Sequence, residues 1–583
     1  MSASSFEPRG NYIDGQWVLP TGSTSISSVN PADSSQIVLQ APTSPDHALQ
    51  AAAAAHAAVA AWSTMTPEAR LSALDRFAAE LANRVEDLAD AITLEMGKVR
   101  SEAGIEARSL LARVKLVRNQ QVPRVSTWTA PGVDGECRYR PLGVVGVIGP
   151  FNFPLHLIHA HVIPALATGN AVVIKPSERT PLAAQRYVEA WDAAGLPPVL
   201  QLVQGAGDVG RAVCSAPELG GLAFTGSWPT GHAIEKSLIE RPEVLVALEM
   251  GGQNMALVDH DADLEQALEG ALLGGFLTTG QRCTCTSRVL VHKSLAEPFI
   301  ERLVEATGKL TWGDPNTDVF MGPLASVADR DHVDALCQAG VEAGAEVLLQ
   351  AERRDGGAWR GPSIHRIDAD HDSDYTRHEV FGPDLAITVV DDMDEAISIA
   401  SQSDYGLSAS VFTASRDSFE RAFQGLRVGC LNWNRSTNRA SGAFPFGGLG
   451  RSGNYRPAGG DAVRYTTYPV QLQWNDLGRL EDQPHVQRAL GGAPTTGAPP
   501  AHAALDRLER LHRLEEACEP YGLYPEMDEA GACSLAVDSL GDDVREALAE
   551  ALGALGTDVN PDAHRWELSA DLNPAALGDA LYS

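Results

Sequence analysis

VVGVIG (144–149), AVVIK (171–175), LQLVQG (200–205), LAFTG (222–226), VLVALEMGG (244–252) and NMALV (254–258) follow one another along the chain, each closed by a turn residue and a helix-like segment. Short apolar β-rich runs alternating with helices imply a parallel α/β sheet. A second α/β pattern runs from about residue 264 to 455, with strands RVLVH (288–292), DLAITVV (384–390) and LSASVF (407–412). Upstream, residues 47 to 118 have helical spacing. Pro45-Asp46 and Thr66-Pro67-Glu68 read as helix starts, and LSALDRFAAELANRVEDLADAITLEMGK ends at Gly97. The fold class is α/β.

Composition narrows the function. At 583 residues the chain is too long for one ordinary core, and about 150 residues per unit predicts roughly four folding units. Its formal net charge is -31. A protein that tracks nucleic-acid phosphates needs a basic surface, and anionic membranes repel this one, so neither partner is expected. The eight cysteines contain no CxxC pair, which argues against a zinc ribbon and suits a reducing compartment. The N-terminus lacks a signal-like apolar region, and no run of 18 apolar residues occurs; the alanine-rich Ala48 to Trp62 reads as a soluble helix. A cytoplasmic protein is expected. From Asp476 onward stand 21 acidic and 7 basic residues, nearly half the net charge. That region opens with a Gly/Pro/Ala/Thr linker, GGAPTTGAPPAHAA (491–504), followed by an amphipathic helix, ALDRLERLHRLEEA.

Several motifs carry chemistry, each with a plainer reading beside it. Gly205, Gly207 and Gly210 spell GxGxxG after a strand, but no acid closes the next strand as a dinucleotide site wants, so a plain βα turn is the better reading. Phe224-Thr225-Gly226-Ser227, with Gly231 beyond, ends a strand and opens a helix. Free N–H groups and the helix dipole there would suit a phosphate, or the segment is a tight turn. In Gly280-Gln281-Arg282-Cys283-Thr284-Cys285, Cys283 is a nucleophile activated by the adjacent Arg282, or both cysteines are structural. Glu249 at a strand end is a general base with a raised pKa, or a partnered core glutamate. His156, His159 and His161 form H-x2-H-x-H. Only the first two share a helix face, and no acid lies among them, so no metal site is expected.

Taken together, GPFNFP (149–154), KPSE (175–178), FTGS (224–227), LEMGG (248–252), GQRC (280–283), EVFGP (379–383) and PFGG (445–448) resemble the aldehyde dehydrogenase superfamily in kind, order and separation. The resemblance covers residues 10 to 473 and leaves out the acidic tail. Within the superfamily the chain is most similar to succinylglutamate-semialdehyde dehydrogenases, on NFPLHLIHAHVIPALATGN, RPEVLVALEMGGQN, TTGQRCTCTSR and GCLNWNRSTNRASGAFPFGGLGRSGNYRP. It implies a Rossmann-type NAD-binding domain (1–118 and 142–253), an α/β catalytic domain (254–455) and a β oligomerisation arm (119–141 and 456–475). Residues 476–583 would be a linker and acidic extension of unassigned role. It also implies a homodimer or dimer of dimers, with RYTTYPVQLQ (464–473) joining a partner's sheet.

The resemblance places roles on matching positions. Cys283 would be the nucleophile, Asn152 and the Cys283 N–H the oxyanion donors, and Glu249 the base that activates the hydrolytic water. Lys175 and Glu178 would hold the adenosine ribose, Gly226 and Ser227 the pyrophosphate, and Glu379 the nicotinamide ribose, with Phe381 packed beside it. A carboxylate at Glu178 repels a 2′-phosphate, which favours NAD over NADP. The expected reaction is oxidation of N-succinylglutamate 5-semialdehyde to N-succinylglutamate in arginine degradation. Glutamate 5-semialdehyde or a broad aldehyde range is the alternative, and a non-catalytic structural or binding protein a distant one. An anionic semialdehyde calls for arginines in the pocket, and Arg282 and Arg439 are the candidates.

Overall fold

The apolar runs quoted above are buried in the computed structural model, and their parallel pairing is the frame of the site. The structure describes residues 6–475 except 22, 23 and 132, together with 484–490, 525–527, 533–536, 549, 552 and 565–568. The chain forms two compact units, Met1–Ser126 with Tyr139–Tyr468, and Thr127–Arg138 with Pro469–Ser583.

In the first unit four helices come early: α1 (Pro45–Ser63), α2 (Pro67–Asn83), α3 (Val85–Met96) and α4 (Arg100–Leu116). The start of α2 follows its sequence signal, with Pro67 in the first turn and the Thr66 hydroxyl accepting from Ala69 N–H at 3.2 Å. The first sheet contains β1 (Asn11–Ile13), β2 (Gln16–Val18), β3 (Val144–Ile148), β4 (Ala171–Lys175), β5 (Leu200–Leu202), β6 (Leu219–Gly226) and β7 (Leu245–Met250). Its order is β7-β6-β3-β4-β5-β1-β2, parallel from β7 to β5, with the β1–β2 hairpin antiparallel at the edge. That hairpin was not read from the sequence, because each strand is only three residues long. Helices α5 (His156–Ala167), α6 (Pro181–Ala193), α7 (Gly207–Ser215) and α8 (Trp228–Ser237) follow β3, β4, β5 and β6. The chain runs outward from β3 to β5, then returns to place β6 on the other side of β3. Such a reversal opens a crevice at the carboxyl ends of the strands.

The second sheet contains β8 (Asn254–Val258), β9 (Thr286–His292), β10 (Glu346–Leu349), β11 (Ser363–Arg366), β12 (Asp384–Val390), β13 (Ser408–Phe412) and β14 (Cys430–Trp433). Its order is β10-β11-β12-β9-β8-β13-β14, parallel except at the β10 edge. Helix α9 (Leu264–Phe276) lies between β8 and β9 in the chain.

A two-stranded ribbon joins Gly135–Pro141 to Thr467–Gln473, inside the two segments expected to form the arm. In the second unit, Pro525–Met527, Cys533–Ala536 and Arg565–Leu568 pair antiparallel and bury Leu535, Trp566 and Leu568. The expected linker 491–504 and the helix after it lie outside the described residues. Among the described residues no helix is long and apolar enough to cross a membrane.

Candidate active site

The first sheet brings its candidate residues to one end. Lys175 is the last residue of β4 and its ammonium lies 3.2 Å from the half-exposed Glu178 carboxylate. Burial pushes the Lys175 pKa down. Burial opposes ionisation of Glu178, but the Lys175 charge and the bonds to the carboxylate outweigh it and hold its pKa below the usual value. Gly226 closes β6, and Ser227 sits at the start of α8 without capping it, its hydroxyl 3.1 Å from that of Thr230. The first-turn N–H groups of that helix are left open to an anion. At the decoy motif, α7 begins at Gly207, and Gly205 serves packing: a Cβ there would lie 2.2 Å from Val209 Cγ2.

Glu249 stands near the end of β7, 4% exposed, and neither carboxylate oxygen has a hydrogen-bond partner. Burial therefore raises its pKa well above the carboxylate range. Asn152, in the turn after β3, is buried and donates from Nδ2 to the Gln281 carbonyl at 3.0 Å. The three histidines are each engaged: His156 with Ser109, His159 with Tyr187 and the Leu110 carbonyl, His161 with Tyr465 and Thr225. Burial depresses their pKa values to about 3, 3 and 4, so the rings are neutral.

The loop that carries Cys283 is built differently. Thr278, Thr279 and Gly280 have φ of 58°, 53° and 69°, three left-handed residues in succession. Two of them are β-branched, for which this region is costly. Hydrogen bonds over-determine the conformation. Thr278 Oγ1 donates to Glu102 at 3.0 Å, Thr279 Oγ1 to the Gly322 carbonyl at 3.1 Å, and Gln281 Oε1 accepts from Ala325 N–H at 3.0 Å. At Gly280 a Cβ would meet the Gly382 carbonyl oxygen at 2.0 Å, so only glycine fits. Beyond the loop, Asn254 Nδ2 ties down the carbonyls of Cys283 and Cys285, both at 2.8 Å.

The expectation that Arg282 activates the thiol does not hold. Its guanidinium is spent on Glu102, 2.9 Å away, and on Thr278 Oγ1 at 2.8 Å, and it stacks 5.1 Å from the Phe153 ring centre. Burial first, then the nearby Glu249 and Glu379 carboxyls, push the Cys283 thiol well above its ordinary pKa. The resting thiol is protonated, and its activation has to come from a base or from what binds beside it.

Cys283, Glu249, Arg282, Thr284 and Asn438 line one cavity of about 220 Å³, together with Arg113, His156, His161, Thr225, Ser441 and Gly442. Glu379 and Phe381 lie in the segment leading into β12 and line a small recess with Gly252 and Cys285. Glu379 accepts from Gly252 N–H at 3.1 Å, and burial raises its pKa to about 8. Phe381 has φ of 53° and packs edge-on against Phe151 at 5.9 Å. Arg439 is exposed and outside the cavity lining, as is Arg435: the Asn434–Ala440 segment turns Asn438 inward instead, held by the Leu273 carbonyl at 2.8 Å. Arg113, from the last turn of α4, and Asn438 were missed. Arg113 sits far from any motif, and Asn438, although inside the quoted NWN stretch next to Arg439, is shown to turn inward only by the tertiary structure.

The model of the aldehyde dehydrogenase family matches residues 17–471. The chain belongs to the aldehyde dehydrogenase family. Two curated relatives, both called N-succinylglutamate 5-semialdehyde dehydrogenase, come from Burkholderia thailandensis and Cronobacter sakazakii. The first is 39% identical over 79% of this chain and 95% of its own length, the second 38% identical over 79% and 94%. Among solved structures, Escherichia coli lactaldehyde dehydrogenase superposes with a TM-score of 0.76 at 32% identity, covering 80% of this chain and 100% of its own. Staphylococcus aureus betaine aldehyde dehydrogenase in complex with NAD+ also gives a TM-score of 0.76, at 28% identity and 81% and 96% coverage. Membership accounts for why a strained loop, a buried carboxyl and a strand-end crevice converge on one cavity in this aldehyde dehydrogenase.

Proposed function

We propose that this aldehyde dehydrogenase oxidises N-succinylglutamate 5-semialdehyde to N-succinylglutamate with NAD, the route of arginine degradation expected from its sequence. The observation that carries the reading is the shared cavity: Cys283 and the unpartnered carboxyl of Glu249 line it together with arginine side chains. The names of the relatives at 38–39% identity supply the substrate.

In this reading the Cys283 sulfur attacks the aldehyde carbon once its proton has passed to a base, forming a thiohemiacetal. The Asn152 amide has one N–H on the Gln281 carbonyl and a second left for the developing oxyanion, beside the Cys283 N–H. NAD, when bound, supplies the acceptor for the hydride that leaves the thiohemiacetal carbon. Glu249 then takes a proton from water, the water oxygen attacks the thioester carbon, and the C–S bond breaks to release the acid and the Cys283 thiolate. The chain's donor set fits the cofactor. The Lys175–Glu178 pair would hold the adenosine ribose and the open first turn after Gly226 and Ser227 the pyrophosphate. Glu379, with a single hydrogen bond, would take the nicotinamide ribose, next to Phe381.

The same reading includes a homodimer or dimer of dimers built through the ribbon strand Thr467–Gln473, and a reducing, cytoplasmic setting. The latter suits Cys137, Cys214, Cys283, Cys285, Cys337 and Cys430, all free thiols. The test is NADH formation at 340 nm with N-succinylglutamate 5-semialdehyde, glutamate 5-semialdehyde and hexanal. A kcat/KM advantage of about a hundredfold for the succinylated substrate, roughly 2.7 kcal/mol, is expected. Equal rates across the three would replace the reading with a broad-range enzyme.

A further inference from the structure

We propose that Arg113 is the residue that recognises the substrate's carboxylate, and so the specificity determinant of the cavity. This rests on the reading that the substrate is an anionic semialdehyde. Neither motif nor spacing pointed to it.

The cavity is lined by two arginines, and they differ in what they face. Arg282 is already neutralised by Glu102. Arg113 is 8% exposed and has no acidic partner among the described residues. Its one hydrogen bond is a long contact of 3.5 Å from Nη1 to the Gly442 carbonyl. A guanidinium carries five N–H donors, and burying a charge with most of them unused is expensive unless a ligand completes it. The residues around it do not share the charge. His156, His159 and His161, whose rings feel Arg113, are neutral, and Tyr465 beside it holds its proton. The positive charge that the cavity offers to a ligand therefore sits on Arg113.

The guanidinium is also held in place. It lies close against Gly442, where a Cβ would come within 2.8 Å of Nη1 and 3.1 Å of Cζ. A planar fork packed close to a loop backbone, with free donors on the cavity it lines, is suited to bidentate pairing with a carboxylate. N-Succinylglutamate 5-semialdehyde carries two carboxylates away from its aldehyde, and hexanal carries none.

The test compares the full-length wild type with Arg113→Met, Arg113→Lys and Gly442→Ala. Two readouts are used: kcat/KM for N-succinylglutamate 5-semialdehyde over that for hexanal, and inhibition of hexanal oxidation by glutarate, a simple dicarboxylate. The expected result is a fall of about fiftyfold or more in the ratio for Arg113→Met, carried by KM, with glutarate inhibition lost. Arg113→Lys should fall between, keeping the charge without the fork. Gly442→Ala, which leaves the arginine in the sequence but displaces it, should lower the ratio in the same direction. Equal losses on both substrates would mark Arg113 as structural and overturn the proposal, as would a wild type that glutarate does not inhibit. A wild type that glutarate inhibits but that treats the two aldehydes alike would overturn the substrate reading and leave Arg113 as the carboxylate site.

Discussion

The first sheet contributes the carboxyl ends of its strands to the candidate site, whereas the second contributes the segments that lead into β9 and β12. At the exits of β4, β6 and β7 the backbone is regular, and the side chains Lys175, Ser227 and Glu249 are presented with little distortion. At the entrances the backbone is strained: Thr278, Thr279 and Phe381 are left-handed, and hydrogen bonds hold the loop. Regular exits suit groups that bind or exchange protons. A strained, over-determined entrance suits a nucleophile that must not move.

The largest effect should come from the entrance side. Cys283→Ala is expected to lower kcat by about 10^4-fold or more, measured by NADH formation, while NAD binding followed by fluorescence persists. Loss of NAD binding in that variant would break the division between the two ends. Glu249→Gln comes next, with kcat down about 10^2- to 10^4-fold. Because burial raises its pKa, Glu249 becomes a base only as pH rises through that raised value. Wild-type hydrolysis should therefore climb with pH, and the variant's residual rate should stay flat. A pH profile unchanged by the substitution would remove Glu249 from the proton transfer.

The regularity that separates the two ends also decided how much could be read from the sequence. VVGVI, AVVIK and LAFTG are buried parallel strands because no charged residue stands inside their apolar runs, and the crevice at their ends follows from the parallel order. Glu249 was legible as an acid where an apolar strand ends. Arg282 was misread because its partner Glu102 lies 180 residues away on α4, and no local pattern shows a charge cancelled across that distance. Arg439 was misplaced for a related reason: in the NWN segment it is Asn438 that turns inward. Arg113 was invisible because a helix of mixed polarity gives no sign of which arginine will be buried.

Two smaller effects sharpen the contrast. Gly280→Ala puts a Cβ against the Gly382 carbonyl, at a left-handed position. The cost is about 2–4 kcal/mol from strain and overpacking, read as a lower melting temperature. Since Gly382 follows Phe381, NAD affinity should fall with it. Lys175→Met, at a regular exit, should raise KM for NAD about tenfold with kcat nearly unchanged and no loss of stability. If the Lys175 variant unfolds more readily than the Gly280 variant, the strain belongs to the other end of the site.

The smallest expected effect is on the pH dependence of stability, at Glu379. Its carboxyl titrates at about 8 in the folded chain because it is buried, against 4.5 for an ordinary glutamate. The unfolded chain therefore releases this proton at lower pH than the folded one. A raised carboxyl pKa contributes stability in full only below about pH 4.5, and that contribution is lost as pH rises to about 8. Glu379→Gln keeps the acceptor for Gly252 N–H and removes the titration. Its melting temperature relative to wild type should rise between pH 5 and 8 by about 1–3 °C, then level off. NAD should oppose the trend. A ribose hydroxyl bonded to Glu379 would favour its ionised form, so saturating NAD should stabilise wild type more than the variant, by more as pH increases. A gap that does not change with pH would mean that Glu379 is ionised and partnered in the resting enzyme, and that this entrance segment is as settled without cofactor as the strand exits opposite it.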